Sequence, residues 1–275
     1  MRDLFYNITN YQGDKIFNDE LVPWLDANER DFSNFIKKVS NLTIDVNNVA
    51  HISDETSWQL YALSRVLDCL TQCFQYKDRV AINSKEPFIS QEQYISFAQR
   101  LGLSIKTPEV FNPFFYEIIR AESGKPNFDI LEICYPALML DHLLINRGGV
   151  VISMSPSEYN IDLVNNAEIY WAYTRSHRAS NDLSHGWGSN SQWRTGFRFD
   201  FECSNGFIYN SQGSVDLNLT SDSTFQILQE DSLLLFEARE LTMYRHFITS
   251  TRDDDDLFPY NYKFFDAKDE NLELL

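Results

Sequence analysis

Basic residues are the first thing this chain is short of. Its 275 residues hold 23 Lys plus Arg against 40 Asp plus Glu, a formal charge of −17. A nucleic-acid binder needs a basic face to neutralise phosphates, and this balance argues against one. Cysteine is also scarce: four residues, Cys69, Cys73, Cys134 and Cys203, are too few and too scattered for a disulfide scaffold. Cys69 and Cys73 lie four apart on one predicted helix face, which suits reduced, partly buried thiols and no CxxC redox or zinc pair. Long apolar runs are missing too. The most apolar stretch, Ile133 to Ile145, is broken by Pro136, Asp141 and His142, whereas a spanning helix needs about 20 apolar residues. The beginning Met1-Arg2-Asp3-Leu4-Phe5 shows no leader pattern, so the expected location is the cytoplasm, with no membrane association. With 43% hydrophobic and 15% aromatic residues, the chain can still bury a sizeable core.

The first third reads helical. Apolar residues recur at helical intervals from Asp14 to Val39, with Pro23 starting or bending a turn. Ser53 or Asp54 can cap a second helix with a broad apolar stripe from Trp58 to Phe74. Ser90 and Gln93 form a capping-box pattern for a third, and Gly102 sits where a left-handed C-terminal cap belongs. After Pro108 the texture becomes strand-like. Phe114 to Glu122 and Ile130 to Tyr135 read as two strands around the turn Gly124-Lys125-Pro126-Asn127. Pro136 to Ile145 reads as a short helix, and Val150 to Met154 and Ile169 to Thr174 read as strands. Phe197, Phe199, Phe201 and Cys203 alternate with Arg198, Asp200 and Glu202, the period of a half-buried strand. Ser204-Asn205-Gly206 turns that strand into Phe207 to Asn210. A helix over Leu228 to Leu241 and a strand over Met243 to Thr249 complete the reading. The expected class is α+β, a helical part over residues 1–107 packed on a mainly antiparallel sheet within residues 108–275, with one continuous domain as the alternative.

Glycine is rare, 10 in all, yet Gly186, Gly188, Gly196, Gly206 and Gly213 fall within 28 residues. The adjoining loop gathers Arg178, Asp182, His185, Trp187, Asn190, Gln192, Trp193 and Arg194 over residues 177–194. Aromatics beside hydrogen-bonding side chains on a glycine-freed loop suit a ligand site; they equally suit a structural loop pinned by its tryptophans. Between Trp171 and Phe199 four arginines (Arg175, Arg178, Arg194, Arg198) face one acid, Asp182. Such an island can fork onto a carboxylate or phosphate, or pair with the chain's own surplus acids.

The run Asp182-Leu183-Ser184-His185-Gly186-Trp187-Gly188-Ser189-Asn190-Ser191-Gln192-Trp193-Arg194-Thr195 resembles the signature of a bacterial family of unassigned function. Asn112-Pro113-Phe114-Phe115-Tyr116-Glu117-Ile118 and Arg147-Gly148-Gly149-Val150 resemble blocks that precede it, and the likeness covers roughly residues 90–262. The chain departs from that pattern at Phe199-Asp200-Phe201, where the family is more basic. The resemblance implies no particular activity.

Known catalytic patterns are missing: no GxSxG elbow, P-loop, GxGxxG, HExxH or kinase set occurs. His177, Asp182 and His185 could supply metal ligands, and Ser184 or Ser189 with His185 and Asp182 a relay, but neighbours on a loop rarely face one another. No metal or cofactor is therefore expected, and an enzyme is the weaker reading. The acidity concentrates late: residues 200–275 hold 16 acids and 5 bases. There Asp253-Asp254-Asp255-Asp256 precedes Phe258 and Tyr260, without the glycine and glutamate of a calcium loop. The expectation is an acidic cytoplasmic protein that neutralises a basic protein partner, such as the immunity protein of a bacterial toxin, through that acidic segment with Phe258 and Tyr260 as anchors. The alternative is an enzyme or small-ligand sensor that uses loop 177–194 to bind an anion. The partner's identity and the oligomeric state are not encoded in any motif.

Overall fold

Helix starts are set by side chains that satisfy orphan backbone donors. In the computed structural model, Ser53 accepts a 3.3 Å hydrogen bond from the Thr56 amide and opens α3 (Asp54–Thr71). Ser90 and Gln93 close a reciprocal box, with bonds of 3.1 and 2.9 Å, at the start of α4 (Gln91–Arg100). Gly102 ends α4 at φ +79°, a left-handed conformation open to glycine at no steric cost. The structure describes residues 1–40, 44–45, 48–49, 52–75, 88–184, 193–228, 233–249, 252 and 257–268.

Before α3 come α1 (Arg2–Asn10), α2 (Val22–Ser40, entered through a wide turn at Phe17–Leu21) and the small hairpin of β1 (Ile44–Asp45) and β2 (Asn48–Val49). The strands that follow are β3 (Ser104–Lys106), β4 (Tyr116–Ser123), β5 (Asp129–Tyr135), β6 (Ala137–Leu140), β7 (Leu143–Asn146) and β8 (Gly148–Met154). After α5 (Ile161–Asn166) come β9 (Ile169–Tyr170), β10 (Ser180–Asn181), β11 (Asp200–Cys203), β12 (Gly206–Tyr209) and β13 (Val215–Asp216). The chain then runs through α6 (Asp222–Leu228) and α7 (Leu235–Tyr244) to β14 (Tyr262–Ala267).

The fold is α+β. Seven strands form one sheet in the order β13-β14-β12-β11-β7-β6-β3, antiparallel except for the parallel pair β13 and β14. A second sheet has the order β4-β8-β5. The larger sheet is covered on both faces, and its side chains alternate between two cores. On β6, Leu138 and Leu140 join α1, α3 and α4 in one apolar cluster, while Ala137 and Met139 join residues of β4 and β8 in another. Leu143 and Leu144 on β7, and Ile208 and Tyr209 on β12, divide in the same way. The cluster on the helical side includes both Leu60 and Phe201, so it crosses the composition change near residue 107.

Several expectations are corrected. Pro136 to Ile145 is a hairpin of β6 and β7, turned at Asp141 with φ +49°. A strand buried on both faces lacks polar alternation and is indistinguishable from a buried helix by pattern. β4 and β5 do not pair with each other: β8 lies between them, parallel to β4 and antiparallel to β5. Local turn chemistry predicted a hairpin, but the most apolar strand takes the central position. The backbone needs Gly148 and Gly149 there. A Cβ on Gly148 would sit 2.7 Å from the Tyr135 carbonyl oxygen, and one on Gly149 would enter the Tyr135 ring. The late helix is two helices, α6 and α7, and residues 243–249 form no strand because α7 extends to Tyr244 and Arg245 caps it in the left-handed region. Ile169 to Thr174 holds a strand of only two residues, β9. The α1 helix and β14 were not anticipated.

Candidate functional site

The basic island lies mostly inside the protein. Arg175, on the segment after β9, sends Nε and Nη2 to the two carboxylate oxygens of Glu117 on β4, both at 2.8 Å. Its Nη1 lies 2.9 Å from Asp68 on α3, whose other oxygen accepts the Tyr173 amide at 2.9 Å. One guanidinium thus ties α3 to β4, with all three side chains at most 7% exposed. Burial alone would push the Glu117 carboxyl up, but the attraction of Arg175 overrides it and holds Glu117 well below the usual carboxylate range. For Asp68 burial wins over the same partner, and its carboxyl is raised.

Arg178 joins this network. It donates from Nη2 to the Ile118 carbonyl at 2.8 Å and from Nε to His177 Nε2 at 2.9 Å. His177 must then carry its proton on Nδ1, which meets Gln75 Oε1 at 3.2 Å. Burial, reinforced by Arg178, lowers the His177 ring to about 3, so it is neutral at physiological pH.

A second network surrounds Asp200 at the start of β11. Its Oδ1 accepts Arg198 Nε and the Asn210 amide, each at 2.7 Å; its Oδ2 lies 3.4 Å from Arg245 and 3.7 Å from Arg147. The register of β11 against β7 places Asp200 opposite Leu144, near Arg147 at the β7–β8 junction, and Arg245 arrives from the end of α7. Burial opposes ionisation of Asp200, but its three arginines outweigh it and lower the carboxyl. Arg198 and Asp200, expected to face solvent from a half-buried strand, are both buried, because each face of this sheet is covered.

The remaining loop residues have separate surroundings. Asp182 accepts the Tyr61 hydroxyl at 2.7 Å and the Ser184 amide at 2.9 Å, and it also bonds the Ser184 hydroxyl. Trp193 is buried, donates to the Tyr6 hydroxyl at 3.1 Å and lies under Arg65, whose guanidinium carbon is 4.8 Å from its ring centre. Arg194 is exposed over Trp58, so no described contact joins it to the buried Arg178. His185, Trp187, Asn190 and Gln192 lie outside the described residues, as do Asp253, Asp254, Asp255 and Asp256. Phe258 is 45% exposed, whereas Tyr260 packs 5.2 Å from Trp171 and donates to Asn181 at 3.3 Å.

Glu117, Asp68, Arg147, Asp200 and Arg245 were not picked out from the sequence as site residues. Apart from Asp200 with the neighbouring Arg198, each pair is joined across tens of residues, and no local pattern marks them. Among the described residues, no three metal-ligating side chains gather, and no helix is long and apolar enough to cross a membrane. A cavity of about 400 Å³ opens between α2, α3 and the start of α1, lined by Trp24, Phe32, Phe35 and Trp58, with Asp31 and Glu55 and also Arg2 at its edge. No protein-family model, curated protein or solved structure matches the chain.

Proposed function

We propose that this chain is an acidic cytoplasmic binding protein that neutralises a basic protein partner, such as the immunity protein of a bacterial toxin. One observation carries the reading: three of the four arginines of the basic island, Arg175, Arg178 and Arg198, are spent internally. Arg65, Arg147, Arg175, Arg178 and Arg198 have buried side chains among the described residues, alongside the buried acids Asp68, Glu117, Asp182, Asp200, Glu237 and Glu240. Among the described residues these five buried cations and six buried anions nearly cancel, so their burial takes up almost none of the chain's formal charge of −17. A surface of that sign steers a basic partner to it and raises the encounter rate, which favours an inhibitor that must reach its target first.

The contact is the acidic last quarter, with Asp253 to Asp256 supplying charge and the exposed Phe258 an apolar anchor beside the better-packed Tyr260. The test is capture of partners on the full chain from its native host at low and moderate salt. A stoichiometric basic protein is expected, whose association slows with added salt and slows again when Asp253 to Asp256 become Asn. Recovery of no such protein, or one indifferent to those four substitutions and to salt, refutes the proposal.

A further inference from the structure

Aromatic side chains on α2 and α3 meet at a space instead of at one another. On α2, Trp24, Asn28, Asp31 and Phe35 recur at the period of one helix face, and on α3 Glu55, Trp58, Gln59 and Ala62 do the same. Both sets, with Phe32, line the cavity of about 400 Å³. Trp24, Phe32, Phe35 and Trp58 are each only half-buried. Rings touch along α2, with Trp24 6.2 Å from Phe32 and Phe32 5.7 Å from Phe35. Among the described residues no ring contact joins them to Trp58 across the space. Other neighbours hold the helices: α3 packs on α1 and β7, and α2 on α4 and β6.

Protein interiors leave few voids larger than a water molecule, and apolar surface left in water costs about 25 cal/mol per Å². An apolar cavity of about 150 Å³ takes up one benzene ring, so this one has room for about two fused rings and a polar group. Its volume lies in the range of small-molecule sites, about 300–1,000 Å³. Charge near the rim is balanced. Asp31 and Glu55 are exposed there, offset by the exposed Arg2 and by Arg194, whose guanidinium carbon lies 5.5 Å from the Trp58 ring centre. A charged ligand entering among the rings would give up its water without a counter-ion of its own. Another aromatic ring loses little water and packs against these rings edge-on or offset.

We infer that this cavity is a binding site for an uncharged planar aromatic molecule of about two fused rings, packed against Trp24, Phe32, Phe35 and Trp58 with a polar group at the rim. The inference does not rest on the basic-partner reading, and its probes are small molecules that do not test that reading.

The full chain is titrated at neutral pH with naphthol, naphthoate or tetramethylammonium, following heat of binding and melting temperature. Naphthol is expected to saturate one site and raise the melting temperature. Naphthoate, with the same rings and a negative charge, should bind roughly tenfold more weakly or worse, and tetramethylammonium should not saturate. Trp58→Ala removes one wall, and Gln59→Trp, at an exposed position of the rim, fills the mouth while leaving the core untouched. Each should weaken naphthol roughly tenfold. Absence of naphthol saturation in the native chain overturns the inference, as does naphthoate or tetramethylammonium binding as tightly as naphthol. Equal naphthol affinity in both folded variants overturns it too, and if Trp58→Ala does not fold, Gln59→Trp decides.

Discussion

Replacing Glu117 by Gln keeps the shape of the side chain and removes one charge from the Arg175 network. In the native protein Arg175 donates two 2.8 Å bonds to Glu117 and lies 2.9 Å from Asp68, with Glu117 1% exposed. The substitution leaves one acceptor oxygen, turns an amide towards one guanidinium nitrogen, and leaves Asp68 alone to balance Arg175 and Arg178. Breaking a buried pair from one side costs about 3–5 kcal/mol, far above the value of about 0–1 kcal/mol for an exposed pair. Proteins of this size lose about 2–4 °C of melting temperature per kcal/mol, so a fall of roughly 10 °C is expected. Urea unfolding at pH 7 followed by tryptophan emission measures the loss, and Arg175→Met with the double variant gives the coupling energy. That coupling should exceed about 1.5 kcal/mol. A loss under about 1 kcal/mol for Glu117→Gln, with an unchanged denaturant slope, would refute the network as a structural tie between α3 and β4.

Acid should destabilise the protein before its carboxylates titrate. His177 and His246 are held neutral, each at about 3 against an ordinary 6.5, chiefly by burial with help from Arg178. The unfolded chain therefore binds protons that the folded chain refuses, and stability falls as pH drops from about 6.5 towards 3, by about 1.4 kcal/mol per unit for each ring. Denaturant midpoints at pH 7, 6 and 5 check this, and a flat profile contradicts it. Glu117 adds a later loss, because its lowered carboxyl contributes stability at neutral pH that disappears below its ordinary value of 4.5. Gly149→Ala drives a methyl into the buried Tyr135 ring and Ile119, and should cost about 1–3 kcal/mol in urea unfolding; a neutral result would mean that β5 can move away from β8. Phe258→Ala should leave stability within about 0.5 kcal/mol, because the ring is 45% exposed, while weakening capture of the basic partner.

The sequence by itself determined the features whose causes are local. Ser53, Ser90 with Gln93, and Gly102 mark helix ends because a cap acts within one turn of its own residue. The Ser204-Asn205 turn into β12 is legible for the same reason. Those signals, with the change of texture after Pro108, suffice for the α+β class. The excess of acid is equally a property of composition.

What tertiary structure decided is everything that depends on which faces are covered. The β6–β7 hairpin reads like a helix because both faces of its sheet are buried, and β8 separates β4 from β5 because pairing on two sides outweighs a nearby turn. The same burial settles the basic island. Arg175 and Arg198 read as available to a ligand or to the chain's own acids, and the fold gives them Asp68, Glu117 and Asp200, with sequence separations of 107, 58 and 2. Charge is additive along a chain, but its energy depends on distance and on solvent, and only the folded packing fixes both.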